Sequence, residues 1–143
     1  RAKQRAYQDI SWIQGDALKT EIEDEQFDGI VIGYGLRNLS DPEVGLREIF
    51  RLLKKGGRAG ILDFNKLNEG SIPYRFQTLY LRKYVVPVAK KLGLFEHYAY
   101  LEESLKDFPN GSLQEHLAYK VGFSLAVHRP IAASQMGILL LRA

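Results

Sequence analysis

The chain has 143 residues, 45% hydrophobic and 26% charged, which predicts one globular domain with a core of its own. It has no cysteine, so disulfides and cysteine-based metal or redox chemistry are excluded within these residues. No run of about 18 apolar residues occurs and the net charge of +3 is dispersed, so neither a transmembrane helix nor a nucleic-acid partner is predicted. His97, His116 and His128 lack metal-ligand spacing, so no metal site is predicted.

The beginning of the chain predicts two strands after the end of a helix. Residues 1–8 are basic and helical in character. Residues 10–17 (ISWIQGDA) are β-branched and aromatic, which predicts a short strand. Residues 27–34 (FDGIVIGY) form an almost continuous apolar run, which is typical of a parallel strand that is buried on both faces.

A helix is predicted after this second strand. Ser40 or Asp41 can cap its start, and Pro42 suits its first turn. Apolar side chains then recur at helical spacing, at Val44, Leu46, Ile49, Phe50, Leu52 and Leu53. Two lysines come next, in what is predicted to be the last turn, and Gly56-Gly57 predicts the end of the helix.

The remainder of the chain predicts a parallel unit followed by an antiparallel pair. Residues 58–64 predict a third apolar strand, and the strand–helix–strand order implies a parallel sheet with a right-handed crossover. A long helix is predicted over residues 71–92, with a break near Pro87. A shorter helix, capped by Ser112 and closed by Gly122, precedes two last strands that are predicted to be antiparallel because only AASQ joins them.

Three of the predicted strands end in glycine or polar chemistry. These ends are Gly15-Asp16-Ala17, Gly33-Tyr34-Gly35 and Asp63-Phe64-Asn65. Ligands of open α/β sheets bind at the carboxyl ends of the strands, and glycine there lets a ligand approach the backbone. A carboxylate such as that of Asp16 can accept hydrogen bonds from an amine. The sequence therefore predicts a small-molecule site along this edge of the sheet.

The motifs in these segments resemble the later motifs of class I S-adenosylmethionine-dependent methyltransferases. They are GDA, FDGIVIGYGLRNLSD, IFRLLKKGGRAGILDF and the terminal MGILLLRA, in that order and at similar spacing. GYGLRN is similar to the C-methyltransferases of quinone biosynthesis, which methylate the ring of demethylmenaquinone, demethylphylloquinone or the ubiquinone precursor. ILDFNK, VVPVAKKLGL and YAYLEESLKDFPNG resemble the cyanobacterial and chloroplast branch, which makes phylloquinone or a plastid menaquinone.

The resemblance implies an α/β fold with a class I methyltransferase (Rossmann-like) sheet, mostly parallel with an antiparallel C-terminal strand. In that family, a first strand with a glycine-rich loop precedes all of these motifs and holds the methionine end of the cofactor. No G-x-G-x-x-G occurs in this sequence. We therefore expect residues 1–143 to be the C-terminal part of a single methyltransferase domain, without its N-terminal strands.

The resemblance also implies S-adenosylmethionine as the cofactor and places four residues beside it. Asp16 and Ala17 match the family position that lies against the adenine, and the alternative for Asp16 is an Asx turn after a strand. Gly33 and Tyr34 match the strand end that passes close to the methionine portion, and the alternative for Tyr34 is simple packing.

Arg37, Asp63 and Tyr100 are the candidate catalytic residues. A fixed guanidinium at Arg37 would stabilise the phenolate-like oxygen that develops when a quinol ring carbon is methylated, and a surface pair with Asp41 is the alternative. An arginine holds its proton up to a pH of about 12, so it would orient the oxyanion or a water rather than act as a base. Asp63 either accepts a proton or caps a turn. Tyr100, like Tyr98, lies in the segment that covers the site in this family, or else packs in the core.

The implied substrate is a lipid-soluble prenylated naphthoquinol. The segment YRFQTLYLRKYVVPVAKKLG would line a tunnel for its isoprenoid or phytyl tail or contact a membrane surface, while an amphipathic core helix is slightly favoured. These properties predict a cytoplasmic or plastid-stromal protein with peripheral membrane contact. Two alternatives remain: a methyltransferase of the same fold that acts on another small molecule, and a non-catalytic fragment. His128 is expected to be structural.

Overall fold

The computed structural model describes residues 10–67, 70–80, 83, 87 and 103–143 of the chain. The helix predicted over residues 1–8 lies outside the described residues, as do Tyr98 and Tyr100. The helix predicted over residues 71–92 is described mainly in its first half. The sheet and its packing are built from the remaining segments.

The described strands form one sheet in the order β1-β2-β4-β3. They are β1 Phe27–Gly33, β2 Leu53–Phe64, β3 Leu125–Ile131 and β4 Met136–Arg142. The described helices are α1 Pro42–Leu52, α2 Ile72–Tyr80 and α3 Gly111–Val121, with a 3₁₀ turn at Leu36–Asn38. β1 pairs parallel with β2, whereas β4 pairs antiparallel with β2 and β3. The mostly parallel sheet with an antiparallel C-terminal strand is confirmed.

The strand predicted over residues 10–17 is absent, so that prediction is wrong. This stretch has only one isolated bridge, between Asp16 and Lys19, and Trp12 and Ile13 are 50% and 73% exposed. A strand needs a neighbour to accept its backbone hydrogen bonds, and none of the described strands pairs with this stretch. The β-branched and aromatic residues of this stretch favour a strand, but they do not determine whether another strand lies beside it.

β1 confirms the predicted strand but not its burial on both faces. Ile30 and Ile32 are partly buried and pack against the core, whereas Val31 between them is 88% exposed. The described structure therefore covers one face of this strand, which explains the alternation in burial. The apolar run by itself does not reveal which face is covered.

α1 begins where the sequence predicts and ends earlier. Asp41 is the cap, because its Oδ1 accepts hydrogen bonds from the backbone N–H groups of Glu43 at 2.8 Å and Val44 at 3.2 Å. The helix stops at Leu52 rather than at Gly56-Gly57, so the two lysines before these glycines lie in β2. The predicted end is wrong because Gly56 and Gly57 lie in a bulged stretch of β2 and do not end the helix.

Gly56 and Gly57 lie in an irregular stretch at the start of β2. The register moves from Phe27 opposite Leu53 to Gly29 opposite Arg58, so the β2 side carries extra residues there. Gly56 has φ +79°, a backbone conformation that disfavours side chains. The regular ladder runs from Arg58 onward, which is where the third strand was predicted to begin.

The core lies between one face of the sheet and helices α1 and α3. Its buried residues are Leu36, Leu46, Ile49, Leu53, Ala59, Ile61, Phe108, Ala118, Phe123, Ala126, Leu139 and Leu141. Leu36 is fully buried in the turn after β1, and burying a leucine contributes about 2 kcal/mol. This burial fixes the turn that carries the next residue, Arg37.

The last helix and strands largely follow the prediction. Asn110, not Ser112, caps α3, because its side chain accepts a hydrogen bond from the N–H of Leu113 at 3.0 Å. Asparagine and serine are comparable caps, so sequence alone did not separate the two positions. Gly122, with φ +126°, closes the helix as predicted. The turn at residues 132–135 joins the antiparallel pair β3 and β4, which is also confirmed.

Candidate functional site

The carboxyl ends of β1 and β2 lie side by side and are joined by backbone contacts. Tyr34 follows β1 with φ +56°, an uncommon conformation for a residue with a side chain. Its N–H donates to the carbonyl of Leu62 at 2.7 Å, and its own carbonyl accepts from the side-chain amide of Asn38 at 2.9 Å. The chain therefore turns sharply and directs the 3₁₀ turn across the end of β2.

Arg37 and Asp63 form the centre of the site. The Arg37 Nε lies 3.0 Å from Oδ1 of Asp63, and the two side chains are only 10% and 6% exposed. The backbone N–H of Arg37 donates to Oδ2 at 3.1 Å, and the N–H of Phe64 donates to Oδ1 at 2.8 Å. Asp63 thus holds both the guanidinium and the backbone of the turn. The alternative pair between Arg37 and Asp41 is not formed, because Asp41 caps α1.

The guanidinium of Arg37 keeps unused donor capacity. Its Nη1 donates to the hydroxyl of Ser104 at 2.5 Å. Its Nε is buried against the Asp63 carboxylate, 3.0 Å from Oδ1, and is occupied by that ion pair. Nη2 makes no hydrogen bond among the described residues, so it is the nitrogen that can donate to a further acceptor.

An aromatic wall stands beside this guanidinium. The guanidinium carbon of Arg37 lies 5.4 Å from the centre of the Phe64 ring, within the range of a cation–π contact. The Tyr34 ring lies 5.4 Å from the Phe64 ring at an angle of 44°, and its hydroxyl donates to the sulfur of Met136 at 3.2 Å. Charge and flat apolar surface are therefore adjacent, which suits a planar ring that carries oxygen.

Ser104 is a site residue that sequence reasoning missed as a contact. It lies in a helical turn at residues 103–106, far along the chain from Arg37. The segment YAYLEESL carried the family signal, but nothing in its pattern indicated which side chain would reach the guanidinium. Tyr100, the third predicted catalytic residue, belongs to the same segment and lies outside the described residues.

Asp16 and Ala17 lie in a separate exposed turn. Oδ1 of Asp16 accepts from the N–H of Leu18 at 2.9 Å, and its carbonyl accepts from the N–H of Lys19 at 3.2 Å. The Asx turn is therefore formed, and it leaves Oδ2 without a hydrogen bond among the described residues. No hydrogen bond or ion pair among them joins this turn to Arg37 or Asp63.

The exposed Asp16 turn and the end of β1 have features that suit an adenosyl ligand such as S-adenosylmethionine. An exposed carboxylate oxygen of Asp16 suits the exocyclic amine of adenine. At Gly15 and Gly33, the space that a side chain would occupy contains no atom within 4 Å, so a ligand can approach the backbone at both places. Tyr34 follows Gly33 and presents its ring toward Phe64.

A polar cavity of about 440 Å³ lies next to the end of β2, between β3 and the start of α3. His128 lies on its wall, and the ring fits only because Gly111 and Gly137 have no Cβ. The backbone N–H of His128 donates to Glu115 at 2.6 Å, and burial lowers the pKa of its imidazole. These contacts support the structural role predicted for His128.

Two further observations concern the described residues alone. No group of three or more histidine, cysteine or carboxylate side chains in the described ranges could hold a metal ion. Among those same ranges, every helix is too short or too polar to cross a membrane.

Residues 1–138 match the ubiE/COQ5 methyltransferase family. The chain is 48% identical over 130 residues to the 2-phytyl-1,4-naphtoquinone methyltransferase of Nostoc punctiforme, covering 91% of this chain and 56% of that protein. It is 41% identical over 131 residues to the chloroplastic 2-phytyl-1,4-beta-naphthoquinone methyltransferase of Arabidopsis thaliana, covering 92% of this chain and 50% of that protein. The chain therefore spans about half the length of the curated relatives it matches.

Solved structures show the same fold. A SAM-dependent methyltransferase from Aquifex aeolicus matches with a TM-score of 0.62 at 12% identity, over 99% of this chain and 58% of that one. Human N-acetylserotonin methyltransferase in complex with SAM matches with a TM-score of 0.58 at 16% identity, over 99% of this chain and 36% of that one. These likenesses confirm the class I methyltransferase fold that the sequence motifs indicated.

Proposed function

Since the chain belongs to the ubiE/COQ5 methyltransferase family, we propose that the complete protein methylates a ring carbon of a prenylated naphthoquinol. The substrate is demethylphylloquinol or demethylmenaquinol, and the methyl donor is S-adenosylmethionine. The observation that carries the proposal is the buried Arg37 guanidinium, held by Asp63 beside the aromatic wall at the strand ends. The identity to 2-phytyl-1,4-naphtoquinone methyltransferases supports the choice of ring.

Arg37 acts on the quinol oxygen. Methylation at a ring carbon requires that the adjacent quinol hydroxyl first lose its proton to a water, because the electron density of the phenolate forms the new carbon–carbon bond. The carbon–sulfur bond of the sulfonium breaks in the same step, and the proton of the methylated ring carbon then leaves to water. The negative charge that must be stabilised is that of the phenolate. A guanidinium that is already fixed and mostly buried stabilises that charge without reorganising. Nε is paired with Asp63, and Nη2, which makes no hydrogen bond among the described residues, is the donor left for the quinol oxygen.

Asp63 positions Arg37. Its two oxygens accept hydrogen bonds from two backbone N–H groups, and Oδ1 also pairs with the guanidinium. Both oxygens therefore hold the turn and Arg37 in place. Of the two roles expected from the sequence, these contacts favour holding the turn over accepting a proton. Tyr100 stays a predicted catalytic residue.

The cofactor is held by the Asp16 turn and by the end of β1. Asp16 and Ala17 bind the adenine, and Gly33 and Tyr34 lie beside the methionine portion. S-adenosylmethionine supplies a methyl group on a sulfonium, which makes that carbon electrophilic. Phe64 and Tyr34 keep water away from the reacting atoms and orient the flat ring, which raises the rate through proximity.

The described part of α2 supports contact with lipid. Ile72, Phe76 and Leu79 lie about one turn apart and are 84%, 62% and 55% exposed. This exposure differs from the amphipathic core helix that the sequence slightly favoured. We propose that this face contacts the substrate tail or a membrane surface, in the plastid stroma or the cytoplasm. A complete gene product that does not float with phytyl-quinol-loaded liposomes, under conditions where it methylates the same quinol, would count against membrane contact.

The proposed reaction is tested with the complete gene product. It should transfer a labelled methyl group from S-adenosylmethionine to reduced 2-phytyl-1,4-naphthoquinone. Reduced phylloquinone, whose ring position is already methylated, is the matched control and should accept none. Transfer to a sterol or a small amine, with none to either quinol, would instead select a different methyltransferase of this fold.

Calorimetry separates the chain from the complete protein. S-adenosylhomocysteine is titrated into the 143-residue chain and into the complete gene product in parallel. Binding by the complete product alone supports the proposed function and shows that these 143 residues are not sufficient for the cofactor site. Binding by neither would refute the cofactor assignment and favour the non-catalytic alternative.

A further inference from the structure

Residues 18–25 lie along one stripe of α1. The stripe consists of Gly45, Glu48 and Arg51, which are spaced three residues apart and therefore share a helix face. Residues 18–25 contain no helix or strand, so side-chain contacts rather than a ladder must hold them. The same stretch directly follows Asp16 and Ala17.

Glu48 holds the first part of this stretch. Glu48 is only 8% exposed. Its carboxylate is nevertheless ionised at neutral pH, because hydrogen bonds from Arg51 and then from Thr20 lower its pKa to about 2. Oε1 of Glu48 accepts hydrogen bonds from both the backbone N–H of Thr20, at 2.8 Å, and its hydroxyl. A buried carboxylate that receives two hydrogen bonds from one residue fixes both its backbone and its rotamer.

Arg51 holds the rest of the stretch. Its Nη1 donates to the carbonyl of Ile22 at 2.8 Å and to the carboxylate of Asp24. Its Nη2 donates to the Thr20 hydroxyl at 3.2 Å and to Glu48 at 2.7 Å. Its carbonyl accepts from the N–H of Glu25 at 2.9 Å. One arginine therefore contacts the stretch at four of its residues.

Leu18, in the turn that contains Asp16, lies over α1 at Gly45. A Cβ at Gly45 would lie 3.8 Å from the Leu18 side chain, an ordinary contact distance, whereas it would overlap the side chain of Leu39. Leu18 is also the residue whose N–H binds Oδ1 of Asp16. The Asp16 carboxylate is thus connected to α1 through the segment that follows it, by Leu18 over Gly45 and by Thr20 at Glu48.

We propose that Glu48 and Arg51 are positioning residues that hold the Asp16 turn where it receives the adenine amine of S-adenosylmethionine. The inference rests on the proposed function for the identity of the ligand. Neither side chain touches the ligand, and both act through residues 18–25. Removing either loosens these residues and weakens binding of every ligand that carries the adenosyl group.

The test uses the complete gene product with Arg51→Met, which keeps the apolar stem and removes the guanidinium. Arg47→Met is the matched control, because Arg47 lies one turn away with a side chain that is 62% exposed and pairs only with Glu43 among the described residues. Amide hydrogen exchange of residues 16–25 is measured without ligand. Dissociation constants are then measured for S-adenosylhomocysteine and for methylthioadenosine, which lacks the amino-acid end.

Arg51→Met should speed exchange of residues 16–25. It should also weaken binding of both ligands about tenfold, because the loosened Asp16 carboxylate would lose its one charge-assisted hydrogen bond to the adenine amine. The KM for the quinol should stay unchanged, and Arg47→Met should behave like the unaltered protein. Arg51→Lys should recover part of the affinity, because it restores the charge but not the fork. If Arg51→Met does not fold, Glu48→Gln serves as the milder variant, with the same direction expected.

Faster exchange with unchanged affinity for methylthioadenosine would overturn the inference while leaving the proposed function intact. Unchanged exchange in Arg51→Met would also overturn it, because the stretch would then be held by other contacts. If the unaltered protein binds neither ligand, the proposed function fails first and the inference fails with it. Weakened binding of S-adenosylhomocysteine alone would place the effect at the amino-acid end and contradict the role of the Asp16 turn.

Discussion

Arg37 and Arg51 each pair with a carboxylate that is less than a tenth exposed, yet they use their hydrogens differently. Arg51 donates hydrogen bonds to Glu48, Thr20, Ile22 and Asp24, and each of its three nitrogens has an acceptor. Arg37 pairs with Asp63 through Nε and with Ser104 through Nη1, and its Nη2 makes no hydrogen bond among the described residues. The Arg51 pair therefore holds the chain in place, whereas the Arg37 pair leaves a donor for a ligand.

A structural arginine differs from one that is available to a ligand in how many of its hydrogens are bound by its own chain. A guanidinium whose five hydrogens are all satisfied by its own chain stabilises a conformation and has nothing left to offer. A guanidinium with a spare donor beside a flat aromatic surface can bind an oxyanion. Exposure does not separate the two, because the Arg37 side chain is the more buried at 10% against 31% for Arg51.

Arg37→Lys is expected to have the largest effect on activity. Lysine keeps the charge beside Asp63 but loses the planar fork, so kcat should fall by about 100- to 1,000-fold. The cofactor Kd and the thermal midpoint should change little. Methyl transfer to the reduced naphthoquinone is measured beside Arg47→Lys, which alters an exposed pair on α1. A near-normal kcat for Arg37→Lys would show that the spare donor is not used.

Glu48→Ala is expected to have the largest effect on stability. It leaves the guanidinium of Arg51 and both groups of Thr20 without their carboxylate, so the free energy of unfolding should fall by about 2 to 3 kcal/mol. Urea denaturation of the complete gene product measures this loss. Glu43→Ala removes another carboxylate of α1, whose partners Arg47 and Lys120 are exposed, and it should cost much less. Equal losses in the two variants would show that Glu48 does not hold residues 18–25.

Acid should remove the contribution of Glu48. Its folded pKa of about 2 lies below the ordinary value of 4.5, so its stabilisation is complete above pH 4.5 and is lost as the pH falls toward 2. Arg51 stays protonated throughout, since its pKa is raised mainly by Glu48 and then by Asp24. The difference in unfolding free energy between the unaltered protein and Glu48→Gln, about 1 to 2 kcal/mol at neutral pH, should shrink over this range. A constant difference down to pH 3 would contradict it.

Ser104→Ala is expected to have the smallest effect. The hydroxyl accepts one hydrogen bond from Arg37, so its loss should lower kcat about fivefold and leave stability nearly unchanged. Ser112→Ala, an exposed position on α3, is the control. If Ser104→Ala instead raises the KM for the quinol without lowering kcat, the serine contacts substrate rather than orienting the guanidinium.

Much of this fold could be predicted because local chemistry and tertiary packing agree. β1, the Asp41 cap, the regular part of β2 and the antiparallel ending were all expected from alternation, capping chemistry and linker length. The strand at residues 10–17 failed because pairing depends on a neighbour that composition cannot specify. The helix end at Gly56-Gly57 failed because glycines serve bulges as well as helix ends.

The candidate site shows the same limit at the level of single side chains. The order of motifs was enough to place Arg37 and Asp63 at neighbouring strand ends, because parallel strands finish at one edge of a sheet. It was not enough to pair them with each other, to bring Ser104 to the guanidinium, or to join Glu48 and Arg51 to residues 18–25. Those contacts join residues 26 to 67 positions apart, and such distances are closed only when the core has packed and fixed where each side chain can reach.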